Sequence, residues 1–290
     1  MIDQGLVKRV VDSFVSLGLD DADTNKECFD IYREHFEAPF IDATEKYYTQ
    51  ESESFLASNT ISDYLKKAEE RLKEEEDRVD RYLNSQTRKP LVAKCEQVLI
   101  RQHAQVIWDS FQGLLDYDRE EDLQRMYSLL ARIPEGLEPL RKRFEEHVKK
   151  AGWAAVEKLV GGQASSVGVG GTGAVDGLDP KLYVDALLEV HKKNSETVTR
   201  SFRGEAGFVA SLDKACREFV NRNAATGLSN ARSPELLAKH ADLLLRKSNK
   251  LAEEDDLEVA LGRVVSFFVF YSSIFVNEGS FGQDDFVQIH

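Results

Sequence analysis

Residues 67–83 read KAEERLKEEEDRVDRYL, and this stretch decides the fold. Ala68, Leu72, Val79 and Tyr82 recur at helical spacing, with Tyr64 in phase just upstream. The opposite face is left to Glu, Lys and Arg, the pattern of a helix with one buried stripe. Ser62 is the expected cap, and Glu69–Lys73 and Glu74–Arg78 stand four apart, as helical ion pairs do. The same texture extends outward. Residues 5–18 carry Leu6, Val10, Phe14 and Leu17 on one stripe that Gly18 closes. Asp23 or Thr24 is expected to cap a segment running through Cys28, Ile31, Tyr32, Phe36 and Phe40 towards Phe55. Pro39 lies inside that segment, so a kink or break near residue 38 follows.

Downstream, 90–115 reads as one helix with Cys95, Val98, Leu99, Val106 and Leu114 inward. Helices at 120–133 and 136–159 follow, interrupted by Pro134. Residues 161–177, GGQASSVGVGGTGAVDG, hold seven of the 18 glycines and read as a flexible loop insertion. Beyond it Asp179 caps a helix with Pro180 at its first position, a strong start signal. Helices are expected at 180–203, 205–222 and 234–250, the last opened by Ser233-Pro234, with a final one from Glu253. About ten helices and no strand make an all-α array of antiparallel helices.

Composition narrows the function classes. The 290 residues carry 51 acidic side chains against 38 basic ones, a formal charge of −13. That balance argues against sequence-independent nucleic-acid binding, which needs basic surface, and against adhesion to anionic membranes. Cys28, Cys95 and Cys216 are far apart and sit on apolar stripes, so each is expected to be a buried thiol. Unpaired thiols, no glycosylation sequon and no signal peptide favour a cytoplasmic and nuclear home. Val264 to Asn277, an uncharged and strongly apolar stretch, is too short for a membrane-spanning helix.

Chemistry-bearing motifs are scarce. Gly168-Val169-Gly170-Gly171-Thr172-Gly173 spells G-x-G-x-x-G, but a helix precedes it where a dinucleotide site needs a strand. His35, His103, His147, His191 and His240 fall on five different predicted helices, without metal-ligand spacing. The acid runs Glu74-Glu75-Glu76 and Glu253-Glu254-Asp255-Asp256 read as solvated helix faces. No nucleophile elbow, P-loop or kinase signature occurs. No catalytic residue, cofactor site or metal site is therefore assigned, and an interaction role is expected. The apolar run 264–276, VVSFFVFYSSIFV, reads either as a core element lacking its packing partner or as a divergent continuation.

Taken together, particular strings carry a resemblance. KAEERLKEEEDRVDRYL, KCEQVLI at 94–100 and DLQRMYSLLARIPEGL at 122–137 resemble the cullin family. So do DPKLYVDALLEVHKK at 179–193, GFVASLDKACREFVN at 207–221 and SPELLAKHADLLLRK at 233–247. The order is colinear across about residues 2–268, and the nearest branch is the cullin of SCF (Skp–cullin–F-box) ubiquitin ligases. The resemblance implies an elongated stalk of cullin repeats, each a bundle of about five helices. It implies a second repeat and the start of a third over 1–160, a glycine-rich insertion at 161–178, the third repeat over 179–268 and a divergent tail at 269–290. It implies a non-catalytic scaffold that holds an adaptor/F-box module and a RING-box subunit, with cullin regulators as further partners. The adaptor-binding helices would lie upstream of Met1 and the lysine carrying a ubiquitin-like modifier downstream of the chain, so a fragment or truncated gene model is expected. The side chains that matter would be buried ones such as Leu72, Val79, Leu99, Leu187, Phe208 and Leu212. A helical rod from a vesicle-tethering complex is the competing class; residue order at 67–100 and 207–247 favours the cullin.

Overall fold

A computed structural model describes residues 3–17, 19–20, 23–27, 29–164, 178–227 and 232–248. Cys28, the G-x-G-x-x-G segment, the helix expected from Glu253 and the apolar run 264–276 lie outside them. Two compact units divide the chain, Met1–Leu140 and Arg141–His290.

The first unit opens with α1 (Gln4–Ser16), capped by Asp3, whose carboxylate accepts the Leu6 amide. Of its apolar residues Val11 is buried, whereas Leu6, Val10 and Leu17 are 52%, 45% and 66% exposed. Of the stripe expected inward, Phe14 is half-buried against the Phe36 ring at 5.9 Å while the other three face out, because α1 turns its Val11 side to the unit. A short antiparallel pair follows, β1 (Leu19–Asp20) with β2 (Asp23–Glu27). Asp23 and Thr24 therefore lie in a strand instead of capping the expected helix.

Next come α2 (Asp30–Tyr32), a π-helical turn at Arg33–Glu37 and α3 (Ala38–Ser58). Pro39 does not break the segment, since it sits in the first turn of α3. A proline there cannot donate to the carbonyl four residues back, and the chain widens into the π turn just before it. Helix α4 (Ile61–Tyr82) is capped by Thr60, not Ser62: Thr60 Oγ1 accepts the Asp63 amide at 3.2 Å. Tyr64, Ala68, Leu72 and Val79 are buried, as their spacing predicts.

The expected helix over 90–115 is interrupted. Helix α5 (Arg88–Glu96) runs into a π-helical turn at Gln97–Arg101, and α6 (Ala104–Asp116) follows. In unbroken α-helical phase, at 100° per residue, Leu91 and Cys95 would lie roughly 160° from Ile107 and Phe111. All four are buried, so the π turn and the break at residues 102–103 slip the phase. Val98, Leu99 and Ile100 enter the core consecutively, and Tyr64 Oη donates to the Leu99 carbonyl at 2.8 Å. The slip leaves Val106, expected inward, 52% exposed. Helix α7 (Glu120–Leu130) then buries Leu123, Met126, Leu129 and Leu130. It turns through Glu135 at φ 61° into Gly136, whose carbonyl accepts Trp108 Nε1–H at 2.9 Å.

Helix α8 (Glu138–Ala164) starts in the first unit and supplies most of its length to the second. It runs through Gly161 and Gly162 to Ala164, so the first four residues of the expected loop are helical. Two glycines cost a helix about 1 kcal/mol each, which one long packed helix can absorb. Helix α9 (Pro180–Ser201) has the predicted cap, with Asp179 accepting the Lys181 amide at 2.9 Å. Helix α10 (Ala206–Asn221) is capped by Glu205. Helix α11 begins at Arg232 and ends at Ser248, so Ser233 lies inside it. Its hydroxyl accepts from Tyr183 at 2.9 Å instead of capping the helix.

The second core is built on close approach. A Cβ at Gly152 of α8 would lie 2.3 Å from the ring of Phe219, which is fully buried on α10. Gly152→Ala should therefore cost about 1–3 kcal/mol through overpacking. Chemical denaturation of the variant checks this; unchanged stability would mean that α8 and α10 do not meet there.

Candidate functional site

The polar side chains that the fold brings together are those that join helices. In the first unit Glu75, on α4, is only 2% exposed. Its Oε1 accepts from Tyr48 Oη of α3 at 2.6 Å, and Arg78 Nε stands 2.9 Å from Oε2. The acid run 74–76 is expected to be solvated surface, but Glu75 is buried. The signal was present: Ala68, Leu72, Glu75, Val79 and Tyr82 are spaced four, three, four and three, so Glu75 lies on the apolar stripe. Burial, with the Glu75 carboxylate adding to it, raises the Tyr48 hydroxyl well above its usual pKa. The Cys95 thiol is pushed up to about 12 by burial first and then by Glu75.

Around this link run further ties. Thr87 Oγ1 donates to Glu37 Oε1 and meets Tyr32 Oη, both at 2.7 Å, fastening the ends of the first π turn. Arg71 of α4 reaches Glu51 of α3 at 2.5 Å through one nitrogen and 2.9 Å through another. Burial alone would raise Glu51, but Arg71 and Lys67 hold it below the usual carboxylate range. Arg132 donates to Glu96 at 2.8 Å and to Glu76 at 2.5 Å. The pairs expected within α4 are replaced: Glu74 pairs with Arg71, Arg78 with Glu75, and Glu69 with Arg125 of α7. His103 Nε2 lies 2.9 Å from Ser52 Oγ, and burial lowers its pKa.

In the second unit Lys149 of α8 is buried among three carboxylates. Its ammonium lies 2.6 Å from Glu218 of α10, 2.7 Å from Glu145 and 3.1 Å from Glu146. Hydrogen bonds to Glu145 and Glu218 raise its pKa, so it remains a cation and not a nucleophile. Lys214 of α10 returns to Glu145 at 3.0 Å. Arg141 of α8 clamps Glu205, the cap of α10, at 2.6 Å. Asn223 closes the α10 end: Nδ2 donates to Tyr183 Oη and Oδ1 accepts the Ala225 amide, both at 2.9 Å. Local pattern marks neither Lys149 nor Asn223 as a link between helices: Glu145 and Glu146 stand within a turn of Lys149, but Glu218 and Tyr183 lie on other helices.

Chemically, these arrangements tie one helix to the next. A general acid or a nucleophile needs a carboxylate raised or a thiol lowered towards neutral pH. Here Glu51, Glu145 and Glu205 are held low by paired cations that outweigh burial, Asp213 is raised by burial against the pull of His191 and Arg217, and Cys95 and Cys216 are raised by burial. His103 and His191, expected as helix-borne boundary residues, are both lowered by burial. Among the described residues no group of three His, Cys, Asp or Glu could hold a metal ion, and no helix is long and apolar enough to cross a membrane.

Stacked α-helices joined by apolar stripes and cross-helix ion pairs define an α-helical repeat protein. Residues 1–273 match the Cullin alpha solenoid domain, and the chain belongs to the cullin family. It is 47% identical over 269 residues to Cullin-1 of Dictyostelium discoideum, covering 92% of this chain and 33% of that protein. The same identity holds over 269 residues of Cullin-1 of Schizosaccharomyces pombe, covering 92% of this chain and 34% of that protein. Cullin-3A of Arabidopsis thaliana is 32% identical over 272 residues, with 92% and 33% covered. The chain thus spans about a third of the length of the relatives it matches. Its similarity is to the Cullin-1 group within the family.

Proposed function

We propose that this chain is a non-catalytic scaffold segment of an SCF-type cullin-RING ubiquitin ligase. In that role it holds a substrate receptor, an adaptor/F-box module, at a set distance from a RING-box subunit. The observation that carries the reading is the 47% identity to Cullin-1 proteins over 92% of the chain. The buried ties described above support it. A scaffold accelerates transfer by raising effective concentration, which a slack connection dilutes over a larger volume. Ion pairs that join helices, and fully buried aromatic clusters, resist that slackening. The cytoplasm and nucleus are the compartments proposed for this work.

A graft tests the reading. Residues 1–271 would replace the matched segment of a full-length Cullin-1 relative, and ubiquitin transfer to receptor-bound substrate would be measured. The graft should restore transfer, whereas the chain alone should not speed discharge of a loaded conjugating enzyme. A graft that binds adaptor and RING-box subunits yet fails to support transfer would overturn the proposal.

A further inference from the structure

We draw no further inference here: the strongest candidate, the exposed apolar face of α1 formed by Leu6, Val10 and Leu17, carries none because nothing in the structure shows what covers it.

Discussion

Phe208→Ala should cost the second unit about 3–5 kcal/mol, the range for removing a fully buried aromatic ring. The reason lies in three aromatic side chains with no solvent exposure, Phe144 of α8, Phe202 at the end of α9 and Phe208 of α10. Phe208 stacks on Phe202 with ring centroids 4.0 Å apart and meets Phe144 edge-on at 5.7 Å. Phe144 and Phe202 also meet edge-on, at 5.6 Å, so the three rings form a closed set. Removing one forfeits its own burial and leaves two rings facing a void. Against a total stability of about 5–15 kcal/mol for a typical domain, that is enough to bring the unit near unfolding. Guanidinium denaturation followed by far-UV circular dichroism reads the effect. A loss within about 0.5 kcal/mol, the range of a surface substitution, would contradict the packing.

Glu75→Ala is expected to cost about 1–3 kcal/mol in the first unit, for a different reason. The side chain itself is small, but its loss leaves the Tyr48 hydroxyl without its acceptor and Arg78 without its anion. An unpaired buried donor keeps its full desolvation cost, and an uncompensated charge costs more. The partner side chains make this separable from simple loss of packing. Adding Tyr48→Phe to Glu75→Met removes donor and acceptor together, and should recover part of the stability. Equal losses for Glu75→Met alone and for the double variant would show that the orphaned Tyr48 hydroxyl carries no cost.

Much of this fold can be read from local pattern. The Asp179-Pro180 start, the buried stripe of α4, and the burial of Leu72, Val79, Leu99, Leu187, Phe208 and Leu212 all follow from spacing. These features depend on neighbours within a turn or two, which a linear sequence displays directly. What escaped depends on partners elsewhere in the chain. The π turn at Gln97–Arg101 is not visible in residue types, because its reason is that the faces of α5 and α6 must meet one core. Val106 and Ile107 are both β-branched and apolar, and only that slip decides which is buried. The exposed stripe of α1 illustrates the converse, since periodicity says that a face is apolar but not what it meets.

The polar links were the least legible. Lys149 reads as one surface lysine among many until α10 brings Glu218 to 2.6 Å. Glu75 was readable from its phase, but a carboxylate in an acid run is easily assigned to solvent. Function was legible differently again. No residue announces a chemistry, and the reading came from residue order across the helices, which the match over residues 1–273 bears out for the family.

The central claim is that packed helical cores act by position. The most direct test is ubiquitin transfer by the full-length graft with and without Phe208→Ala. The measurement is made at a temperature where only the variant unit has melted, with discharge onto free lysine as the control. If position is the contribution, transfer to receptor-bound substrate falls roughly tenfold or more while discharge is unchanged. Undiminished substrate transfer from a melted second unit would contradict the account.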